Sequence, residues 1–326
     1  MFCIVAIFKN ESEILEEWIT HYLREGCSHF FLIDNDSTDK YIHIINKYIN
    51  KITLIKDSTK FSQAILYNKY FLKSIRRFEW CLVCDLDEFV YSRDKYETIA
   101  EYLNDLNSNI SSIVIPWKMF GSNGYNILEK KEPKSVIESF TKRTDYSIDK
   151  ISQGMIKTSN NKREILSKCI ARTSKIIELK IHSSSIYEGL TIQSEGSIRP
   201  RIKFKWLEFA PINEEVLKSS QLHLNHYAIR SLDWFTRIKM TRGAADCALG
   251  ERKKSRIQYF YKYDEVSNDI DDFELLNKRN KNINIPLNLE TEKNLKKINM
   301  KSKFVLSILE YLIRIKGLTE RAFNSF

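Results

Sequence analysis

The sequence predicts an α/β fold built around a parallel sheet, and three observations carry that reading. Short apolar runs at residues 2–8, 30–33, 52–55 and 80–84 read as buried strands. Helical patterns fall between them, and this alternation is what crossover helices produce. A polar cluster follows three of the runs: Lys9-Asn10-Glu11, Asp34-Asn35-Asp36-Ser37-Thr38-Asp39 and Asp85-Leu86-Asp87-Glu88-Phe89. In parallel sheets, ligands bind outside the carboxyl ends of the strands, where these clusters are placed.

The elements follow in order. Met1-Phe2-Cys3-Ile4-Val5-Ala6-Ile7-Phe8 is the first strand: it has no basic leader and meets Lys9-Asn10-Glu11 too early for a signal peptide. Ile14, Leu15, Trp18, Ile19, Tyr22 and Leu23 recur at helical spacing, with Ser12 as the expected N-cap and Gly26 as the stop. After the strand at 30–33 come a helix over 40–49, the strand at 52–55, a helix over 62–76 and the strand at 80–84. A helix at 96–107 and a strand at 112–117 precede the loop Phe120-Gly121-Ser122-Asn123-Gly124. Residues 130–165 are polar and give no clear pattern; strands are expected near 168–182 and 221–227, then a helix over 231–241.

Of the 326 residues, 43% are apolar and 29% charged, with 9 Gly and 5 Pro, which excludes a disordered, collagen-like or linker-dominated chain. The net charge of +10 favours an anionic partner without choosing among nucleic acid, nucleotide phosphates and an acidic membrane face. No apolar stretch reaches the length of a membrane span. With no secretion signal, the six cysteines are expected as thiols. Cys81 and Cys84 form a C-x-x-C, but on a strand positions three apart face opposite ways, which argues against a joint metal or redox site.

Asp85-x-Asp87-Glu88 is the strongest chemical signal. A buried strand would deliver two carboxylates on one face to the sheet edge, where they suit Mg²⁺ or Mn²⁺ and, through the ion, a diphosphate. The plain reading of the same residues is a solvated acidic turn. Asp34 to Asp39 could likewise be a turn with a helix cap, and Glu11 an acid placed favourably at a helix start. In His223-Leu224-Asn225-His226-Tyr227, alternation puts the two histidines on opposite faces; by themselves both read as hydrogen-bonded core residues. Lys239 and Arg242 either grip phosphates or lie on a solvated basic helix face.

In order, Phe8-Lys9-Asn10-Glu11, Glu17-Trp18-Ile19-x-His21-Tyr22, Gly26 and Ile33-Asp34-Asn35-Asp36-Ser37-x-Asp39 resemble the start of family 92-like glycosyltransferases (the DUF23 type, related to family 2). Asp85-x-Asp87-Glu88-Phe89 and Phe120-Gly121-Ser122-Asn123-Gly124 resemble its D-x-D-E-F and F-G-S-x-G blocks. Lys168-x-x-x-Arg172 with His182, then His226-Tyr227, Arg230-Ser231 and Lys239-x-x-Arg242-Gly243, resemble its later blocks, so the likeness runs from about residue 2 to 245. It implies a GT-A (Rossmann-like) glycosyltransferase fold, a nucleotide-sugar donor such as a UDP-sugar, a divalent Mn²⁺ or Mg²⁺, and inversion at the anomeric carbon. By residue, it puts Asn10, Glu11, Asp34 and Asp36 at the nucleotide and Asp85 and Asp87 at the metal. His226 becomes a third metal ligand, with His182 as its rival.

The expectation is therefore a metal-dependent glycosyltransferase, a hexosyltransferase, acting on a glycan or lipid-linked hydroxyl in polysaccharide biosynthesis. Lys239 and Arg242 would offset the charge of the leaving diphosphate. Glu88, Asp145 and Glu195 are the candidate bases for the acceptor proton, and the stretch from Trp117 to Gly124 is the expected acceptor region. The alternative is a metal-dependent nucleotidyltransferase or nucleotide-binding module on a related fold. A nucleic-acid partner is disfavoured, because acidic clusters at the strand ends repel a phosphate backbone. The domain is expected over 1–250, with 251–326 as a basic, mostly helical C-terminal extension of charge +5, from 16 Lys/Arg and 11 Asp/Glu. Its amphipathic stretch at 302–316 is expected to pack on the domain or a second subunit; peripheral docking at the cytoplasmic membrane face is the competing reading.

Overall fold

A computed structural model describes residues 1–127, 135–147, 156–159, 162–199, 208–242 and 256–282. All of them fall in one compact unit, Met1–Asn284; a second unit, Ile285–Phe326, lies outside the described residues, as do the expected helix at 302–316 and Cys247. The first half of the chain alternates as expected: β1 (Phe2–Phe8), α1 (Ser12–Arg24), β2 (Cys27–Asp34), α2 (Ile42–Lys47), β3 (Ile52–Lys56), α3 (Gln63–Phe71) and β4 (Trp80–Val83). Then follow β5 (Glu88–Ser92), α4 (Ile99–Asp105), β6 (Ile110–Met119), α5 (Val136–Ser139), β7 (Lys142–Arg143), β8 (Ile156–Ser159), β9 (Lys162–Arg172), β10 (Ile176–Glu178) and β11 (Ser185–Ile186). The remainder is β12 (Leu190–Gln193), β13 (Ile198–Arg199), β14 (Phe209–Pro211), α6 (Glu214–Ser219), β15 (Leu222–His226), α7 (Leu232–Trp234), α8 (Ile257–Asp264), β16 (Ile270–Asp271) and α9 (Glu274–Asn282).

β3, β2, β1 and β4 lie side by side and parallel, the α/β half predicted from the alternation. Successive β1 residues divide between two cores. Phe2, Ile4, Ala6 and Phe8 join one and Cys3, Val5 and Ile7 the other, which is why the run is apolar throughout. Cys81 and Cys84 divide in the same way, so the C-x-x-C is two packing residues on opposite faces. β9 then enters antiparallel between β4 and β6, and the parallel order ends there. β15 runs parallel to β6 and antiparallel to β5 beyond the edge of β4.

Of the two expected ends of α1, one is corrected and the other holds. Ser12 is the first residue of α1 rather than its cap; the Asp39 carboxylate accepts its N–H at 2.7 Å, from another loop. Gly26 does end the helix: at φ 86° it holds the left-handed conformation, and a Cβ there would stand 2.5 Å from that of Ala100. The division of the chain also moves. α8 and α9 belong to the first unit rather than to an extension beginning at 251. Buried charges explain their attachment: Lys118 on β6, fully buried, pairs with Asp272 at 2.9 Å and Glu274 at 3.4 Å. No described helix is long and apolar enough to cross a membrane.

Candidate active site

The ends of β1, β2 and β4 meet at one edge of the sheet. Asp34 closes β2, and both its oxygens serve the loop that follows, accepting from Ser37 N–H at 2.8 Å and the Tyr41 hydroxyl at 2.6 Å. The Asn10 side-chain carbonyl accepts from Thr38 N–H at 2.8 Å, tying the first polar cluster to the second. Asn10 and Asp36 hold left-handed backbones at φ 54° and 68°; Asn and Asp tolerate this region better than most residues. Asp36 is exposed and pairs with Lys9 at 3.2 Å. Asp34 and Asn10 thus shape the loop expected to hold the nucleotide, and Asp36 is the acid left at its surface.

The Asp85–Glu88 stretch is not the end of a strand. β4 stops at Val83, and Asp85 to Asp87 form a tight turn into β5, so the two aspartates do not share one strand face. Their surroundings differ accordingly. Asp85 Oδ2 lies 2.8 Å from Lys168 Nζ, and its Oδ1 accepts from Gln63 at 3.2 Å. Asp87 faces His226 Nε2 and Lys239 Nζ, each at 3.7 Å. Helix α1 fixes the turn from behind. The Trp18 indole donates to the carbonyls of Asp85 at 3.1 Å and Glu88 at 3.2 Å, Tyr22 binds the Glu88 carbonyl at 3.1 Å, and His21 meets Val90 O at 2.7 Å. These are the residues of the Glu17-Trp18-Ile19-x-His21-Tyr22 block. Their helical spacing read as core, and only the structure shows what they hold.

The buried charges around the turn are unequal. Burial pushes the Asp87 carboxyl up, but the charges of His226, Lys239 and Arg230 outweigh it and hold the group well below its ordinary value. Asp85 is likewise lowered, Lys168 overcoming burial and the Asp87 charge. Glu88 goes the other way: burial raises its carboxyl to about 8, with Lys168 at 3.2 Å opposing and the Asp85 and Asp87 charges adding. Fully buried, it cannot meet an acceptor hydroxyl in this conformation, which corrects its expected catalytic role. Its Oε2 instead accepts the Asp85 N–H at 2.9 Å. A folded chain that keeps this proton while the unfolded chain releases it near 4.5 loses stability as pH rises from there to about 8. Denaturant unfolding at a series of pH values should show this decline, and Glu88→Gln should flatten it. An equal slope in both proteins would assign the decline elsewhere.

The two histidine rivals bracket one ring. Trp117 lies 3.9 Å from the His226 ring and 5.6 Å from that of His182. His226 stands beside Asp87, while the positive charge of His182 acts on Asp85. His223, on the other face of β15 as alternation requires, binds Glu274 at 2.8 Å, and burial pushes its imidazole down to about 4. The His226–Asp87 separation of 3.7 Å exceeds a hydrogen bond. It suits two ligands of one divalent ion, each about 2.1 Å from it. Among the described residues no group of three His, Cys, Asp or Glu side chains is arranged to hold a metal, so the fit is to Asp87 and His226, with Asp85 engaged by Lys168.

Cations close the site from the chain's far end. Phe235–Lys239 is a single π-helical turn, a rare form frequent at functional sites, and it carries Lys239 to Asp87. Arg242 pairs with Glu11, and Arg230 reaches the same carboxylate at 3.2 Å. Glu11 therefore anchors two arginines.

The F-G-S-N-G loop, in the expected acceptor region, also has a structural task. Ser122 N–H donates to Asp264 at 2.7 Å and Asn123 N–H to Asn268 at 2.9 Å, so the loop seats α8. A Cβ on Gly121 would meet Ser267 O at 2.4 Å. Asp145 and Glu195 are bound locally, to Ser147 at 2.6 Å and to Ser197. Lys168 and Arg230 had no role in the reading of the residues themselves. Their only sequence signal was membership of the later blocks.

The chain is similar to known proteins. The family model for glycosyltransferase family 92 matches residues 1–260. A glycosyltransferase family 92 protein of rice (Oryza sativa subsp. japonica) is 24% identical over 134 residues, 40% of this chain and 23% of the rice protein. The chain thus aligns with about a quarter of that relative's length. Among solved structures, Staphylococcus aureus TarS (residues 1–349) is similar at 19% identity and TM-score 0.30, over 53% of this chain and 47% of TarS. Its complex with UDP is similar at 18% and 0.31, with the same coverage. Likeness at those scores does not by itself establish a shared fold. The family match, spanning well over half the sequence and both the acidic turn and the π-helical turn, does establish kinship: the chain belongs to glycosyltransferase family 92.

Proposed function

We propose that this protein transfers a sugar from a nucleoside diphosphate sugar, a UDP-sugar, to a hydroxyl of a glycan or lipid-linked acceptor, with inversion at the anomeric carbon. One observation carries the reading: the ionised Asp87 at the strand edge faces His226 and Lys239, with Arg230 and Arg242 joined on Glu11 nearby. Transfer breaks the bond from the anomeric carbon to the diphosphate oxygen as the acceptor oxygen forms its own bond to that carbon. Negative charge grows on the leaving diphosphate, and Lys239 and Arg242 would offset it. Asp87 and His226 would hold a Mn²⁺ or Mg²⁺ ion, which when bound supplies further positive charge to the leaving group. Asp34 and Asn10 keep the β2 loop in shape for the nucleotide. The acceptor proton must pass to a carboxylate; with Glu88 buried, Asp145 and Glu195 are the two of the three that are partly open to solvent.

The test is donor turnover. Purified protein with a panel of nucleotide sugars and Mn²⁺ should hydrolyse or transfer from one of them, and chelation should abolish this. His226→Ala should weaken Mn²⁺ binding by tenfold or more, as loss of a ligand does, while His223→Gln should not. No turnover of any donor with any divalent ion would sink the reading.

A further inference from the structure

The loop from β3 to α3, residues 57–62, lies at the same sheet edge as the acidic turn and is tied down on both sides of one residue, Phe61. The Asn35 side-chain amide donates to the carbonyls of Asp57 at 2.7 Å and Thr59 at 3.0 Å. The Asp57 carboxylate accepts from Thr59 N–H at 2.9 Å and from the Tyr70 hydroxyl at 2.7 Å. Past the loop, the Gln63 amide donates to the Tyr67 hydroxyl at 2.9 Å and to Asp85 at 3.2 Å. Phe61 is two residues from Thr59 and two from Gln63. Two residues span at most about 7 Å, so Phe61 stands between the exit of β2 at Asn35 and the turn at Asp85.

Phe61 is unfavourable in two independent respects. Its backbone is left-handed at φ 56°, a region that Asn and Asp tolerate but that makes a bulky residue a genuine outlier. Its ring is 46% exposed and belongs to neither hydrophobic core. Turning the backbone to pack the ring down is opposed by the anchors on either side. Strain of this kind persists only where the surroundings over-determine it, and it concentrates at ligand sites. The result is a rigid apolar face presented at the carboxyl edge of the sheet, where parallel sheets bind their ligands.

We infer that Phe61 is the platform on which the nucleobase of the donor stacks. This rests on the proposed nucleotide-sugar transfer and adds where the base lies. With the diphosphate at Asp87 and Lys239, the nucleoside extends along the edge from β4 toward β2 and β3, past Asn10 and Asp34. A planar base covers exposed aromatic surface, and stacking serves any base, because every base has a π-face. Phe61 thus supplies affinity for the nucleoside rather than the choice among bases.

The test is calorimetric titration of the full chain with UDP and, separately, with inorganic pyrophosphate, both with Mn²⁺. Phe61→Asn removes the ring and suits the left-handed backbone. It should weaken UDP binding at least about fivefold, the low end for loss of a base–aromatic stack, and leave pyrophosphate binding unchanged. Phe61→Trp should keep the UDP affinity. Its added indole emission, measured against the wild-type signal, should be quenched by UDP and not by pyrophosphate. That quenching becomes the deciding measurement if Phe61→Asn melts abnormally. UDP binding indifferent to Phe61→Asn, an equal loss for UDP and pyrophosphate, or no UDP-specific quenching in Phe61→Trp overturns the inference and leaves the donor reading standing. Failure of the wild-type protein to bind UDP at all overturns the donor reading and the inference with it.

Discussion

Asp87→Asn should lower turnover of a nucleotide-sugar donor by more than about a hundredfold while leaving the far-ultraviolet circular dichroism unchanged. The carboxylate is held ionised among His226, Lys239 and Arg230, against a burial that by itself would protonate it. Such an arrangement is expensive for a fold and useful to a ligand or a developing charge. Asparagine keeps the shape and removes the charge that His226, Lys239 and Arg230 face. The loss should fall on kcat rather than on binding of the free nucleotide, because the β2 loop that shapes the nucleotide end is untouched. Near-normal turnover in this variant with Mn²⁺ would show that the chemistry lies elsewhere.

The largest effect on stability is expected from Lys168→Met. Its ammonium is fully buried and serves two carboxyls at once, Asp85 at 2.8 Å and Glu88 at 3.2 Å, while also donating to Ile181 O at 2.9 Å. Methionine fills a similar volume without the charge. What remains is an ionised Asp85 pressed against a buried Glu88. Breaking a buried pair on one side costs about 3–5 kcal/mol. Urea unfolding of the variant should show a loss of that order, together with reduced turnover, since the turn carrying Asp87 rests on the same contacts. A loss under about 1 kcal/mol, the scale of a surface ion pair, would mean that Lys168 is not the counter-charge of this turn.

How much of this could be read from the sequence depends on the range of the interaction. The strands β1 to β4 and helices α1 to α3 were legible because burial imposes a local period, and each element repeats it within a few residues. The polar clusters at the strand ends were legible because parallel strands must deliver their chain exits to one edge. The opposite faces of His223 and His226, and of Cys81 and Cys84, followed from strand alternation alone. The tight turn at Asp85 was misread as a strand end. The apolar run stops at Cys84, but the chain's immediate return as β5 is set by pairing with β15, over a hundred residues later.

The sequence by itself determined the α/β class, the position of the acidic cluster, and the residues that mark the chain as a family 92 member. Only the tertiary structure decided what those residues do to one another. Lys168 lies 83 positions from Asp85 and arrives because β9 inserts antiparallel between β4 and β6. Arg230 is 219 positions from Glu11. Trp18 and Tyr22 have the spacing of ordinary core residues, and their hydrogen bonds to the Asp85 and Glu88 carbonyls leave no periodic trace. The direction of each pKa shift is likewise a property of the assembled site. Asp87 and Glu88 are chain neighbours of the same chemical kind, and burial acts on both, but only Asp87 is held down by His226, Lys239 and Arg230. Local order is written in local composition; the balance of charge in a buried site is set by which distant segments the fold brings within a few ångströms.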